Sequence, residues 1–426
     1  MPARVPHTVH RLPPRPFREY LLHALGTAAA APSLLLPDEC QTSSSRTCTL
    51  CHASAISYPA EAATRDTAIH EFWDELHTAA PLRRLVRSPL GRHYRTTSKR
   101  KAFVRRDGVH LALIDPAELR SGNMMDVHQC AIEPTAHARC YQSVQNALRK
   151  PFASPLADVL RYVIIRGDYV AFTIILSVQF VDGKIIKAAN TLSKGLSHAM
   201  PGIRGILLYE DDSDGRYYLG TRNPARRNAV RKLHGDAMIP AVFAGKRFLY
   251  APIAFSQINA SIVDLMLARC TELLRPDGNA ALYDLYCGYG LFTLTVGAKA
   301  RSATGMERTP EAVEAAQANA RRQHATNARF VRCDITPRTL APVIAPIRPA
   351  DVVILDPPRG GTGAGVIETV AAKGPARVVH LFCNIDLLLH ELARWREGGY
   401  RVVEAIPFDM FPGTDDVEVM VLLSSG

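Results

Sequence analysis

The chain of 426 residues is long enough for two or three domains, and its 47% hydrophobic and 21% charged residues are typical of a globular protein. No apolar run approaches the roughly 20 residues that span a bilayer, so we expect no membrane partner. The net charge of +11 favours a polyanionic partner such as RNA or DNA.

The first 37 residues form an amino-terminal arm, which carries four arginines and a single acidic residue, Glu19. This composition is typical of a mitochondrial targeting segment. Five prolines from Pro2 to Pro16 would interrupt the amphipathic helix that such a segment needs. The localisation therefore stays open between the cytoplasm and the mitochondrion.

The second region, residues 38–150, contains three of the nine cysteines close together, with the spacing C-x7-C-x2-C: Cys40, Cys48 and Cys51. An odd number of cysteines without uniform spacing argues against a secreted disulfide framework. The three thiols instead indicate part of a metal or iron–sulfur site in a reducing compartment. His52, next to Cys51, keeps zinc as an alternative to an iron–sulfur cluster.

Two basic clusters contain no acidic residue. After a helical pattern at 67–80, residues 83–106 hold ten lysines and arginines together with Tyr94 and Phe103, and residues 222–234 hold five more. Clustered positive charge is the electrostatic signature of a nucleic-acid-binding surface, although a solvated basic face has the same composition. Because there are two such clusters, we expect RNA or DNA binding in the second region.

The rest of the chain changes from short strands to a regular alternation of strands and helices. Residues 151–255 are rich in short β-branched and aromatic runs, which predict a mixed, β-rich central module. Residues 256–426 alternate buried strands with helices and end in a hairpin-like pair. Such alternation predicts an α/β fold, with a parallel sheet and helices on both faces. The expected strands are 281–288, 303–308, 328–334, 351–358 and 377–384, and the expected helices include 311–324 and 385–398.

The ends of three successive strands carry residues that suit an S-adenosylmethionine site. In the DLYCGYGLF stretch, Gly288 and Gly290 would let the backbone approach a ligand closely. Glu307 stands where an acid binds ribose hydroxyls, and Asp334 ends the third strand, where it would hold an adenine edge. A nicotinamide cofactor is the alternative to S-adenosylmethionine at this site, and the presence of Asp356 disfavours it.

The fourth and fifth strands end in DPPRGG (356–361) and in Cys383. Two prolines after an acidic residue give a rigid extended segment, and base-modifying methyltransferases use such a segment to hold a flipped base. The position of Cys383 has two readings. A free thiol is commonly a small core residue, but the carboxyl edge of a parallel sheet is also where such folds place their chemistry.

Four motifs of residues 256–426 together resemble the RNA uracil-C5 methyltransferases: LYDLYCGYG, LDPPRGG, LFCN and FDMFPGTDDVE. The resemblance continues upstream through FSQIN (255–259) and YRTTSKRKAFV (94–104). The cysteine spacing, followed by Cys130, is similar to that of the four ligands of the 4Fe-4S cluster in the bacterial 23S rRNA members. The resemblance implies a Rossmann-like, seven-stranded methyltransferase sheet, S-adenosylmethionine as cofactor, and an iron–sulfur cluster held by Cys40, Cys48, Cys51 and Cys130.

By this resemblance the reaction needs a covalent nucleophile, because uracil C5 is too weak a nucleophile to take the methyl group directly. Cys383 would add to uracil C6, Glu418 would remove the C5 proton, and Asp356 would hold the edge of a uracil extruded from its stack. Local positive charge or the helix after Cys383 would activate the thiolate. The cofactor-binding residues would be Gln257, Tyr286, Gly288, Gly290, Glu307, Asp334 and Asp356.

The chain departs from the family pattern at several positions near the expected site. The residues in place of a common Asn, Pro and Ser are Leu291, Ile385 and Phe382, and those in place of frequent histidines are Gly413, Asp415 and Asp416. These departures bear on rate and substrate fit more than on reaction type. We expect a monomeric RNA (uracil-C5)-methyltransferase that acts on ribosomal RNA. The alternatives are a tRNA T-loop methyltransferase and a catalytically silent RNA-binding protein of the same fold.

Overall fold

The computed structural model describes residues 15–29, 51–54, 56–114, 124–125, 127, 129–211 and 230–426. Within these residues the chain forms two seven-stranded sheets and one two-stranded hairpin. None of the described helices combines the length and the apolar character that crossing a membrane requires.

Two helices precede the sheets and pack against each other. α1 (Phe17–Ala29) meets α2 (Tyr58–Glu75) at Phe72, whose ring lies edge-to-face with the rings of Phe17 and Tyr20, at centroid distances of 6.0 and 5.7 Å. All three rings are buried in the hydrophobic cluster that covers one face of the carboxyl-terminal sheet. Part of the amino-terminal arm therefore belongs to the folded core.

The structure corrects one expectation about these helices. In the arm, α1 begins at Phe17, and the five prolines from Pro2 to Pro16 all precede it. The helix expected at 67–80 spans residues 58–75 instead. It starts earlier because Pro59 occupies its first turn, where a missing N–H costs no hydrogen bond.

The central sheet has the strand order β3-β2-β1-β4-β5-β6-β7, in which only β5 and β6 run parallel. Helices α3 (Thr135–Leu148), α4 (Ser154–Ala157) and α5 (Gly183–Ala199) pack with it around one apolar cluster. The strands are β1 (Thr97–Arg105), β2 (Gly108–Ile114), β3 (Met124–Met125), β4 (Leu160–Gly167), β5 (Phe172–Val178), β6 (Ile203–Glu210) and β7 (Val230–Gly235).

The expected boundary at residue 150 divides this sheet. β1 lies in the first basic cluster, yet it pairs with β4 over five residue pairs, from Thr97 with Arg166 to Lys101 with Tyr162. Three consecutive basic residues, Lys99, Arg100 and Lys101, lie in the middle of β1, and they masked the strand pattern in the sequence. The β-rich module therefore begins near residue 97 and includes part of the region that we expected to bind RNA.

The carboxyl-terminal sheet follows a hairpin of β8 (Ile239–Phe243) and β9 (Lys246–Tyr250), and its strand order is β12-β11-β10-β13-β14-β16-β15. β10 to β14 run parallel, and β16 lies antiparallel between β14 and β15. The α/β, Rossmann-like prediction is confirmed. The strands are β10 (Ala281–Leu285), β11 (Ser302–Glu307), β12 (Ala328–Arg332), β13 (Val352–Leu355), β14 (Arg377–Phe382), β15 (Tyr400–Phe408) and β16 (Glu418–Ser425).

Helices cover both faces of this sheet because alternate strand residues are apolar on both sides. In β13, Val353 and Leu355 belong to one hydrophobic cluster, and Val352 and Ile354 belong to the other. The chain order reverses between β10 and β13, and ligands bind at such switch points. The helices are α6 (Ala260–Leu274), α7 (Leu291–Thr295), α8 (Pro310–Arg322), α9 (Pro337–Val343), α10 (Val366–Ala371) and α11 (Leu388–Glu397).

Candidate active site

Cys383 and Glu418 occupy opposite positions at the carboxyl edge of this sheet. β14 pairs antiparallel with β16, and the last pair in register is Phe382 with Val419. One step further, Cys383 follows β14 where Glu418 begins β16. Asp356 follows β13, the other neighbour of β14, and its charge acts on both groups. The structure thus brings the three expected catalytic residues together.

The surroundings of Cys383 keep its thiol protonated at neutral pH. Burial, followed by the charges of Glu418 and Asp356, raises the pKa of the Cys383 thiol to about 12, while the charge of Arg359 opposes them. The thiol donates a long hydrogen bond to Pro357 O, at 3.8 Å. We expected local positive charge or the following helix to favour a thiolate; the charge of Arg359 acts in this direction, but burial and the two carboxyl groups outweigh it.

Two carboxyl groups beside Cys383 hold protons more tightly than usual. Burial, with the charges of Asp356 and Asp416, raises the pKa of Glu418 to about 8. Desolvation raises the pKa of Asp356 to about 7. Groups that titrate near neutral pH exchange protons readily under physiological conditions, and this suits acid–base chemistry.

A buried glutamate that the sequence analysis missed holds the loop 356–363. The Glu391 carboxylate accepts hydrogen bonds from Thr362 N at 2.7 Å and from Thr362 Oγ1 at 2.8 Å. Its second oxygen lies 3.3 Å from Nε2 of His380, on the strand that leads to Cys383. The only sequence signal was an acidic residue on the apolar side of a helical pattern. Glu391 therefore links the loop that carries Asp356 to β14.

The loop between β10 and α7 has the backbone geometry of a ligand cradle. Tyr286, Gly288 and Gly290 have φ angles of 66°, 53° and 88°, in the left-handed region that glycine favours. A Cβ atom at Gly290 would lie 2.8 Å from the ring of Phe330, so this position excludes side chains. A Cβ at Gly288 would meet nothing within 4 Å, so the backbone there faces open space.

Glu307 ties this cradle to the end of β11. Its carboxylate accepts hydrogen bonds from Gly288 N at 3.2 Å and Thr309 N at 2.7 Å. Asp334 is exposed at the end of the neighbouring strand β12. The structure thus places Glu307 and Asp334 at the same sheet edge as the glycines.

Tyr286 and Gln257, the two remaining candidates for cofactor binding, lie in different surroundings. The backbone of Gly363 hydrogen-bonds to the Tyr286 hydroxyl, and burial raises the pKa of Tyr286 to about 12. Gln257 lines a cavity of about 380 Å³ together with Tyr289 of the cradle. The other walls of this cavity come from the β4–β5 turn and the β8–β9 hairpin, so Gln257 lies where the central module meets the cofactor cradle.

Sequence comparison identifies the carboxyl-terminal part of this arrangement. Residues 239–426, which include β8 to β16, match the family described as tRNA (Uracil-5-)-methyltransferase. This match and the similar RNA methyltransferases support the RNA uracil-C5 methyltransferase family for these residues. The expected family is therefore confirmed on residues that include Cys383, Glu418 and Asp356.

Uncharacterized RNA methyltransferases from three bacteria are similar to the chain. The protein of Caldanaerobacter subterraneus is 29% identical over 58% of this chain and 53% of its own length. That of Bacillus cereus is 33% identical over 47% of this chain and 45% of its own length. That of Thermotoga maritima is 25% identical over 89% of this chain and 83% of its own length. The chain thus spans about half the length of the first two relatives.

The fold is similar to a solved member of the same class. The crystal structure of Pyrococcus abyssi tRNA (uracil-54, C5)-methyltransferase in complex with S-adenosyl-L-homocysteine superposes with a TM-score of 0.67 and 17% identity. The similarity covers 87% of this chain and 84% of that chain. At this identity the likeness concerns the fold, including the central module and not only the carboxyl-terminal sheet.

Three of the family departures are packing residues. Leu291, the first residue of α7, is 5% exposed and belongs to one sheet-covering cluster, and Ile385 is 4% exposed and belongs to the other. Phe382 is buried as well, and its ring stacks on His380 at a centroid distance of 4.1 Å. Apolar contacts therefore replace the polar or rigid residues that are common in the family.

The structure describes half of the expected cysteine set. Cys40 and Cys48 lie outside the described residues, while the charge of Cys51 is one cause of the raised pKa of Cys130, which places these two thiols near each other. Within the described ranges no three His, Cys, Asp or Glu side chains form a metal-binding group. The ring of His52 is hydrogen-bonded to Asp415 at 2.8 Å, so it has a partner other than zinc.

Several arginines of the first basic cluster form ion pairs rather than a solvated face. Arg100 is buried and binds both oxygens of Glu133, at 2.8 and 2.7 Å. Arg92 and Arg83 likewise bind carboxylates, those of Glu61 and Glu404. The expectation of an RNA-binding face was wrong for Arg100 and Arg92, which are not exposed. Exposed basic residues from the two clusters include Arg84, Arg87, Arg105, Arg106, Arg231 and Lys232.

Proposed function

We propose that the protein is an S-adenosylmethionine-dependent RNA (uracil-C5)-methyltransferase. The observation that carries this proposal is the convergence of Cys383, Glu418 and Asp356 at the ends of three neighbouring strands, beside a glycine cradle. A thiol with two carboxyl groups that titrate near neutral pH supplies a nucleophile and proton acceptors in one place.

The nucleophilic step requires the Cys383 thiol to lose its proton as the uracil binds. Asp356 in its carboxylate form accepts this proton, and neutralising it removes a charge that opposes thiolate formation, while Glu418 stays available for the later step. The sulfur then forms a bond to uracil C6, and the electron pair of the C5–C6 double bond moves to give an enolate. This makes C5 nucleophilic, and S-adenosylmethionine supplies the electrophilic methyl group.

The closing step requires a base. After methylation C5 carries both a methyl group and a proton, and the carboxylate of Glu418 removes that proton. The C5–C6 double bond re-forms as the bond between sulfur and C6 breaks, and Cys383 leaves as a thiolate. Glu418 suits this step because its pKa of about 8 makes it a stronger base than an ordinary carboxylate.

The residues around the cradle fit S-adenosylmethionine. Gly288 faces open space, and Gln257 lines the adjoining cavity. Glu307 and Asp334 lie at the ends of β11 and β12, where they would contact the ribose and the adenine of the cofactor. Tyr286 joins the cradle to the loop that carries Asp356. We assign cofactor binding to Gln257, Tyr286, Gly288, Gly290, Glu307, Asp334 and Asp356.

Ribosomal RNA is the proposed substrate, because the spacing of Cys40, Cys48, Cys51 and Cys130 is similar to the 4Fe-4S ligands of the rRNA members. Such a cluster would be structural, since no step above needs electrons. A tRNA is the second candidate, because the matching family and the similar solved structure are both named for tRNA. Iron and sulfide analysis after anaerobic purification, with Cys51→Ser for comparison, tests the cluster.

The reaction is tested with an RNA hairpin that carries 5-fluorouridine, incubated with S-adenosylmethionine and the full-length protein. Fluorine cannot leave C5 as a proton does, so the methylated covalent complex should persist on a denaturing gel. The adduct should be absent for Cys383→Ala and present for Cys270→Ala, which removes a buried thiol of α6. If neither ribosomal nor tRNA hairpins form an adduct although they bind, the silent RNA-binding alternative is correct.

A further inference from the structure

The base proposed above takes its position from a loop. Residues 409–417 connect β15 to β16, and Glu418 is the first residue after this loop. The backbone of Glu418 pairs with Phe408, but the loop arches away between these two residues. The direction in which the chain returns from the loop into β16 therefore decides where the Glu418 carboxylate points.

One buried arginine holds this loop through three backbone carbonyls. Arg65 of α2 is fully buried, and its Nη1 donates a hydrogen bond to Asp416 O at 2.8 Å. Its Nη2 donates to Phe411 O at 3.3 Å and also to Thr414 O. A guanidinium can do this because its five N–H donors lie in one rigid plane.

A carboxylate on the same helix completes the arrangement. Glu61, one turn before Arg65, accepts a hydrogen bond from Arg65 Nε at 3.0 Å and another from Gly413 N at 2.5 Å. The Asp409 carboxylate, at the start of the loop, lies 3.7 Å from the same Nε. Burying charged groups is energetically costly unless they are paired, and here the guanidinium lies beside two carboxylates under a loop whose residues are all buried or half-buried.

We infer that Arg65 is a positioning residue for the proposed base Glu418, and this inference rests on the proposed function. Arg65 lies outside the matched residues 239–426, so the amino-terminal region completes the methyltransferase site. Asp416, whose carbonyl Arg65 binds, also pairs through its side chain with Arg359 of the loop that carries Asp356. Arg65 thereby aligns both loops that flank Cys383.

The expected defect is specific to one step. Addition of Cys383 to C6 and methyl transfer do not need Glu418 to be aligned, but removal of the C5 proton does. Arg65→Lys replaces a planar fork with a single ammonium that cannot reach three carbonyls at once. We expect kcat to fall by about tenfold to a hundredfold with little change in KM for S-adenosylmethionine, because small misplacement of a reacting group costs about that much.

The test uses the full-length protein, S-adenosylmethionine and a hairpin of ordinary uridine, quenched in denaturant at several times. Arg65→Lys should accumulate the methylated Cys383–RNA adduct, as Glu418→Gln should, whereas the wild type should not. Arg100→Lys is the matched control, because it also disrupts a buried arginine–glutamate pair but lies in the central sheet. Arg100→Lys should show no adduct, whatever its loss of stability.

Two results would overturn the inference: a folded Arg65→Lys protein that turns over normally, or one that slows without accumulating adduct. If Arg65→Lys does not fold, Glu61→Gln is measured instead, because the amide keeps the shape while it weakens the hold on Arg65 and Gly413. A folded Glu61→Gln protein without adduct also overturns it. The 5-fluorouridine adduct of the wild type is run in parallel: without that adduct the proposed function fails, and the inference fails with it.

Discussion

The Arg359 guanidinium binds the Asp416 carboxylate through two hydrogen bonds, at 2.6 and 3.0 Å, and so bridges the two loops on either side of Cys383. Both side chains keep contact with solvent, so this pair is weaker than a buried one. Its position matters more than its strength. Arg359 lowers the pKa of Cys383, while Asp416 raises the pKa of Glu418, so the pair couples the charge states of the proposed nucleophile and base.

Asp416→Asn should shift the pH dependence of turnover. Removing the Asp416 charge lowers the pKa of Glu418, and the base then ionises at lower pH, so the acidic limb of the kcat profile should move to lower pH. The same change frees Arg359 to favour the Cys383 thiolate. The measurement is kcat between pH 6 and 9, a range of about three units around the pKa of Glu418.

Asp415→Asn is the matched control for this prediction. Asp415 is adjacent in the chain, but its carboxylate binds His52 and Arg18 rather than Arg359. Its replacement should leave the acidic limb where it is in the wild type. An identical limb for wild type and Asp416→Asn would show that Asp416 does not act on the base.

The stability of the protein should fall as the pH rises through neutrality. Burial raises the pKa values of Glu418, Asp356 and Asp284 to about 8, 7 and 7, above their ordinary 4.5, 3.8 and 3.8. Each carboxyl group therefore binds its proton more tightly in the folded than in the unfolded chain. The tighter proton binding stabilises the folded protein. This stabilisation is fully present at a pH below the ordinary pKa of the group and is lost as the pH rises through the pKa that the group has in the folded protein.

Urea denaturation at pH values about one unit apart, 5.5, 6.5, 7.5 and 8.5, measures this dependence of stability on pH. We expect the free energy of unfolding to drop across the series by a few kcal/mol, on the order of one to two kcal/mol per carboxyl group. Glu418→Gln should flatten the profile at its alkaline end, because the amide cannot ionise. A wild-type profile that rises from pH 5.5 to 8.5 would contradict the raised pKa values.

The sequence predicted the positions of the chemistry better than it predicted what holds them. Cys383 and Asp356 were assignable because each follows a buried strand of a parallel sheet, whose carboxyl ends share one edge. Arg65 could not be assigned in this way, because its three acceptors lie 346 to 351 residues away along the chain. No local pattern encodes a contact of that separation.

The basic clusters illustrate the same limit. Arg100 and Arg105 belong to one strand and have the same chemistry, yet Arg100 is buried on Glu133 and Arg105 is exposed. The fold decides which of these arginines pairs with a carboxylate, because it places Glu133 next to Arg100 and not next to Arg105. Composition therefore predicted the surplus charge correctly, but not which residues are free to meet RNA.

Glu391→Gln should destabilise the protein and slow the reaction together. Trp395 Nε1 donates to His380 Nδ1 at 3.1 Å, so the proton of neutral His380 is on Nε2, which faces Glu391 at 3.3 Å. The amide nitrogen that this change introduces would either face the N–H of His380, which repels it, or replace the oxygen that accepts from Thr362 and leave those two donors without an acceptor. A buried unsatisfied donor costs about 1–3 kcal/mol of unfolding free energy.

Urea denaturation and kcat are the two measurements for this change, with Glu397→Gln as the control. Glu397 lies on the same helix, α11, but is exposed, so its replacement should change stability by no more than about 0.5 kcal/mol. We expect the loss of kcat to follow from displacement of the loop that carries Asp356. Full stability of Glu391→Gln would show that Thr362 does not need this acceptor.

Arg105 and Arg106 should contribute to RNA affinity through phosphate contacts. Both are exposed at the turn between β1 and β2, and the double change to Gln should weaken binding equally for different RNA sequences. Each lost phosphate contact lowers the slope of log affinity against log salt by about 0.7–0.9, so the slope of the double variant should be smaller by about 1.5.

Fluorescence anisotropy of a labelled hairpin at several salt concentrations measures this slope. Arg401→Gln, an exposed change at the far end of β15 from Glu418, should leave it unchanged, and an unchanged slope in the double variant would exclude this turn from the RNA-binding surface.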